Sequence, residues 1–562
     1  MNNIHKRLKH LLLLTGLMFL ITSAIAQEGK RDTVVIVKEY NPTISNVVKI
    51  STSPVITDTF VERSVPDYRI ESRTFQTDYQ LSEIPGARFT AEPLTKLYSH
   101  LIKGGYGTYK TPYAEYIYNS LRSRNYMTVF KTKHLSSTGQ LKDYGYSGFS
   151  DNEAKLSVKR FLPKQTLGVN VNVERNVVHY YGYNPEEAIN KDLNKENTRQ
   201  RFFLAGGDIS FGNSTLSGKK PDYEAVISYF NFSDIFKTSE NDISLESFYA
   251  LPLKADTSLK SQHFKIGLGG NFNTKQSEID TNNRGIIYLK PEVLFKADFF
   301  RLQAGISSNI EASPDSAGFR IFPTAELGFT ISEDILLFYL GVDGGIEKNT
   351  FHSMANTNPF IGSSVFVRNS YKKYDAYAGF RGSFSSTVSF NLTFSNKKIA
   401  HNPFFVNDIN YLSDTRFDII YDDLDVMNFH AELTYKKTEK LRLMARADYY
   451  IYKTLNEAHA WHKPDAEVGI MARYNLKNKI IATLDVFYTG ERYANVYNAD
   501  NQIYTAKLLS GFLDANIGLE YRYSKLLGAF IRFHNIAGTR YEIWNNYPNQ
   551  RFSLLGGLSY SF

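Results

Sequence analysis

From about residue 98 to Phe562 the chain repeats with a period of two. In TLGVNVNVERN (166–176), Leu167, Val169, Val171 and Val173 share one face, while Gly168, Asn170, Asn172 and Glu174 share the other. VSFNLTFSN (388–396) sets Val388, Phe390, Leu392 and Phe394 against Ser389, Asn391, Thr393 and Ser395. In LRLMARADYY (441–450), Leu441, Leu443, Ala445, Ala447 and Tyr449 oppose Arg442, Met444, Arg446, Asp448 and Tyr450. IIATLDVFY (480–488) and the final RFSLLGGLSYSF follow the same rule. Successive side chains leave a strand on opposite sides, so each segment has one dry face and one wet face.

Soluble sandwiches and propellers alternate in the same way, and the connections separate them from a membrane barrel. Pro163-Lys164-Gln165, Glu333-Asp334, Thr438-Glu439-Lys440 and Lys477-Asn478-Lys479 are tight. The segments 134–150, 176–198, 349–363, 400–427, 494–507 and 540–550 are long and polar. Short and long connections tend to take turns, as in outer-membrane barrels with tight periplasmic turns and extended outer loops. A propeller would repeat blade by blade, and no such repeat is visible. In lipid every backbone N–H and C=O needs a partner within the protein, so a spanning sheet must close on itself. The dry face then meets acyl chains and the wet face lines the lumen. Arg442, Arg446 and Asp448 are therefore expected to face the lumen. The reading is an all-β, transmembrane antiparallel barrel over 98–562, of about 22 strands within a range of roughly 14 to 22. An even number places both chain ends on the periplasmic side. The segments around 255–262 and 363–375 read equally as loop or strand.

Composition agrees. Tyr (39) and Phe (40) make up nearly all of a 14% aromatic content, which suits rings at a membrane boundary. Absence of Cys excludes disulfides, thiolate metal sites and a lipidated N-terminal Cys. The net charge of +8 is spread without a basic arm, so nucleic acid is not an expected partner. Lys6, Arg7 and Lys9 precede the apolar LLLLTGLMFLI, and Ala24-Ile25-Ala26 reads as a cleavage site, so residues 1–26 are expected to be a signal peptide removed after Ala26. Residues 27–97 carry five prolines and no sustained alternation, and are expected to form a periplasmic leader that can enter the lumen.

The tail HNIAGTRYEIWNNYPNQRFSLLGGLSYSF resembles the last hairpin of TonB-dependent outer-membrane receptors, matching at Asn535, Ile536, Tyr541, Arg551, Phe552 and Phe562, with Ala537 where that pattern has Phe. Leu558, Tyr560 and the terminal Phe562 are similar to the signal read by barrel-assembly machinery. Asp32, Thr33, Val34, Val35, Ile36 and Val37 resemble the TonB box, a free β-strand that a periplasmic partner pairs with. Lys38, Tyr40, Pro42, Thr43, Ile44 and Ser45 are similar to the opening of a group of short TonB-dependent receptor-like proteins. The 71 residues from Gln27 to Leu97 lack the plug segments of full receptors. The resemblance implies a short receptor-type barrel in the outer membrane of a Gram-negative bacterium, in contact with outer-membrane lipid, assembly machinery and TonB or another periplasmic or outer-membrane protein.

No catalytic constellation is visible, and the chain is read as not an enzyme, with no cofactor or metal expected. His459 and His462 in EAHAWHKP are three apart without an evident third ligand. His134 beside Ser136-Ser137 lacks an orienting group. The segment 401–428, expected to be a loop, mixes carboxylates including Asp422 and Asp423 with Phe404, Phe405, Tyr411 and Tyr421. That chemistry suits Ca²⁺ or sugars, and equally a solvated, self-repelling loop. The expected function is ligand uptake across the outer membrane. The alternatives are a non-transporting scaffold or assembly partner of another outer-membrane complex, and a passive channel.

Overall fold

A computed structural model describes residues 97–562, apart from 140, 214–219, 254–258, 315–316, 334, 410–414 and 499–502. The expected signal peptide, the expected leader up to residue 96 and the segments at 32–37 and 38–45 lie outside the described residues. Twenty-two strands form one sheet, each antiparallel to its neighbour in the chain. The first, His100–Gly107, pairs with the last, Ser553–Ser561, and closes the barrel. Among the described residues no helix is long and apolar enough to cross a membrane; the wall does so with strands.

Closure brings glycines together at the seam. Gly104 and Gly105 face Leu558 and Gly557 across the seam, and Tyr106 faces Gly556. A Cβ on Gly105 would stand 2.8 Å from the Gly556 carbonyl oxygen, and one on Gly557 would collide with the Gly104 carbonyl and the Phe530 ring. Gly105 and Gly557 are the positions at which the close approach of the two terminal strands excludes a side chain, while Gly104 and Gly556 have room for one. Phe562 completes the seam: its N–H donates to His100 O and its O accepts from His100 N–H, both at 3.0 Å, while the two rings stack at 4.7 Å.

Dry faces point outward. Val169, Leu392 and Leu443 are 36%, 48% and 37% exposed, and their wet neighbours lie on the inner wall. The four tight turns named from the sequence all fall at the end where the first strand begins and the last one finishes, and the six long connections at the other. Lys477 and Asn478 both take φ above +50°, the geometry of a two-residue hairpin turn. The alternation of lengths is not strict. Gly107–Thr111 and Gln276–Thr281 are tight turns at the long-loop end.

Several outer connections are more ordered than loops. Residues 503–509 pair with 492–498 as a small ribbon, and Glu542–Trp544 pairs with Tyr547–Pro548. The expected loop 401–428 is mostly wall: strands Val388–Asn407 and Phe417–Lys437 extend through it, leaving 408–416 as the connection. A bulge between Ile399 and Asn402, with His401 at φ 53°, breaks the alternation there. Beyond it apolar side chains on both faces of the hairpin are packed, Phe405, Phe417 and Ile419 in one cluster and Phe404 and Val406 in another, so the apolar–polar alternation is lost. The ambiguous 363–375 is divided: strand begins at Ser370.

Candidate functional site

One connection turns inward. The segment 348–369, between strands Leu336–Glu347 and Ser370–Ser385, starts with the helix Phe351–Thr357, and Phe351 and Ile361 are 0% exposed. Glu240 accepts from the N–H groups of Phe351 and His352, each at 2.9 Å. Thr350 and Ser353 form a reciprocal capping box at the same helix start. After the helix the chain runs on through two turns, at 359–360 and 363–364, and its carbonyls are taken in steps of two. Tyr180 OH donates to Ile361 O at 3.0 Å, Thr238 Oγ1 to Ser363 O at 3.2 Å, Lys275 Nζ to Val365 O at 2.6 Å and Asn282 Nδ2 to Val367 O at 2.8 Å. Arg284 donates to Asn349 O at 2.6 Å, and Asn369 donates to Glu311 at 2.8 Å.

These wall partners decide where the segment lies. Glu240, Lys275, Asn282, Arg284 and Glu311 alternate with outward-facing Ile243, Phe272, Ile287 and Ile310, so they point into the barrel. The segment is therefore a strap laid inside the mouth at the long-loop end. Its other side packs on neighbouring connections. Phe360 stacks on Tyr547 at 3.7 Å, and Phe417 and Trp544 complete an apolar cluster. Tyr547 OH donates to Thr415 O. A backbone crossing an interior must satisfy its polar groups, and here dedicated wall side chains do so.

The middle of the wall is charged on the first five strands. Lys103, Glu115, Lys131, Glu153, Lys155 and Glu174 face inward on five consecutive strands, with N···O separations of 3.7, 3.9, 2.6, 3.3 and 3.1 Å along the series. Charges at membrane depth are tolerated where they face a polar lumen and pair with one another.

No family model and no curated protein matches the sequence. Solved structures do. The barrel is similar to Fiu, the ferric-catecholate import receptor of E. coli K12, with TM-score 0.61 at 10% identity over 83% of this chain and 82% of that one. It is similar to the FrpB iron transporter of Neisseria meningitidis, with TM-score 0.61 at 9% identity over 84% and 82%. FpvA, the pyoverdine outer-membrane receptor of Pseudomonas aeruginosa PAO1, matches with TM-score 0.63 at 9% identity over 83% and 79%. The chain has the fold of a TonB-dependent receptor barrel.

Within this receptor-type barrel the residues singled out from the sequence separate. Arg446 and Asp448 meet on the inner wall, Nε to Oδ2 at 2.5 Å, and His430 joins Asp448 at 2.9 Å. Arg442 shares their face but is exposed beside the 438–440 turn, apart from that cluster. Asp422 holds a loop: its carboxylate accepts from the N–H groups of Leu455, Asn456 and Glu457 at 3.1, 2.7 and 2.9 Å. Asp423, on the opposite face of the same strand, pairs with Lys373 at 2.8 Å and accepts from the His401 N–H at the bulge. Neither carboxylate is left open for a ligand. Leu558, Tyr560 and Phe562 are exposed on the outer face of the closing strand.

His459 and His462 do not converge. His459 stacks on Tyr493 at 4.0 Å. Nδ1–H of His462 donates to Phe405 O at 3.0 Å, and its Nε2 accepts from the Asn545 N–H at 3.4 Å. Burial pushes this imidazole down to about 3, so it stays neutral. His134 bonds Ser136 and Asn152 on the wall. Sequence reasoning missed the strap. Its wall partners are scattered from Tyr180 to Glu311, and only the alternating Ile361, Ser363, Val365 and Val367 gave a local sign of an extended run.

Proposed function

We propose that the chain is an outer-membrane import protein of the TonB-dependent type, with strap 348–369 as the constriction at its outer mouth. The observation that supports this best is the closed 22-strand wall, similar in fold to a ferric-catecholate import receptor, an iron transporter and a pyoverdine outer-membrane receptor. In this reading residues 1–26 direct export and are removed after Ala26. The outward Leu558, Tyr560 and Phe562 engage the assembly machinery and then outer-membrane lipid, and Asp32–Val37 offers a strand to TonB. The inward Arg446, Asp448 and paired charges of the first five strands line the route of a polar solute.

Deletion of 32–37 tests the energised step. Cells that depend on this barrel for a ferric siderophore should lose uptake while surface amounts of the protein are unchanged; uptake at the full rate after deletion would remove the motif from the mechanism. A second reading, a non-transporting partner in an outer-membrane complex, is favoured by the density of packing between strap and neighbouring loops. It predicts copurification with one fixed partner and no uptake at all. In planar bilayers the strapped barrel should conduct poorly, and replacing 350–367 with a short Gly-Ser linker should open it.

A further inference from the structure

Apart from the lumen, a second concavity lies among the outer connections. Three of them, 138–148, 180–198 and 535–552, enclose a cavity of about 490 Å³. Gly145 allows the Tyr183 ring to lie against the first connection, since a Cβ there would collide with that ring. Gly182 does the same for Tyr547. Asn190 is fixed beneath the floor, donating to Asn184 O at 2.9 Å and to Glu187 at 3.3 Å. The Arg540 guanidinium lies 4.7 Å over the Tyr144 ring and donates to Lys142 O at 3.2 Å.

The lining groups are unevenly satisfied. Tyr183 is 5% exposed, yet among the described residues its hydroxyl has no hydrogen-bond partner. Asp143 makes no ion pair among the described residues, and no carboxylate pairs with Arg540. Asp143 and Asn546 both hold φ of 67°, a left-handed conformation that sets their side chains on the cavity rim.

This set of groups selects a ligand class. Asp143 and Glu187 repel an anion, and Arg540 repels a cation. A neutral polyol suffers neither penalty and uses both signs, because each hydroxyl donates once and accepts twice. Planar carboxylate, carboxamide and guanidinium groups can bridge adjacent hydroxyls, and Tyr faces cover the apolar C–H side of a sugar ring. A free amino acid would fill only part of a cavity this large, whereas two or three sugar units match it.

We propose that the cavity lined by Tyr144, Tyr183, Asn184, Glu187, Arg540 and Asp143 is a binding site for a neutral oligosaccharide on the outer face of the barrel. It is separate from the strap and does not depend on transport, so its test is independent of uptake.

The purified full chain, held in a non-glycosidic detergent, is titrated calorimetrically with linear trisaccharides of glucose, mannose, galactose and N-acetylglucosamine, and with triglycine. Saturable binding of at least one trisaccharide is expected. It should weaken tenfold or more in Arg540→Ala and in Asp143→Ala. Both residues are exposed, and retained heat-modifiable migration on gels shows that each variant is folded. Binding of none of the trisaccharides, binding indifferent to both substitutions, or preference for triglycine would each overturn the proposal.

Discussion

Single side chains hold the outer connections in place, and His462 does so in a pH-dependent way. Neutral, it bonds with both nitrogens to Phe405 and Asn545. With its pKa pushed down to about 3 in the docked state against an ordinary value near 6.5, the undocked form takes up the proton first. Docking is therefore fully present above about pH 6.5 and weakens as pH falls toward 3, by up to about 1.4 kcal/mol per unit. The chain's two tryptophans, Trp461 and Trp544, lie beside this imidazole or in its loop, so intrinsic fluorescence reports the change. Emission should shift to the red between pH 6.5 and 4 without barrel unfolding, and His462→Gln should remove that dependence. Asp422 acts on the same loop. Asp422→Ala leaves three N–H groups without their acceptor and should cost about 2–4 kcal/mol of local stability. The readout is tenfold or faster hydrogen exchange at 455–457, with exchange of the wall strands left as it was.

At the scale of elements, strands were legible and their embellishments were not. Leu392 against Thr393 carries its own orientation, because lipid on one side and water on the other enforce the period. Where a hairpin is covered on both faces, as at Phe404-Phe405 and Ile419-Ile420, alternation stops and the text reads as loop. The strap shows the same limit more strongly. Its helix owes its position to Glu240, more than a hundred residues earlier, and no local pattern reports such a partner. Glu240→Ala should leave Arg284 and two helix N–H groups short of a partner, a loss of about 3 kcal/mol. Hydrogen exchange across Phe351–Thr357 should quicken while that of the wall strands is unchanged; equal protection in the variant would mean that apolar packing alone fixes the strap.

For the whole molecule, the fold follows from one requirement: a sheet in lipid has no edges and turns its apolar face outward. The pairing of the first strand with the last and the outward apolar faces of the 22 strands are how this chain meets it. The site was less legible: Arg446 and Asp448 form an ion pair that alternation alone does not announce, and Asp422 and Asp423 serve loop and bulge. Outwardness can be measured directly, because the chain has no Cys and single nitroxide labels can be placed freely. Labels at 169, 392 and 443 in reconstituted vesicles should be relaxed by molecular oxygen dissolved in the acyl region, and labels at 170, 393 and 444 by a water-soluble nickel chelate. The same relaxation at both sets, or the reverse order, would contradict a barrel whose apolar face meets the membrane.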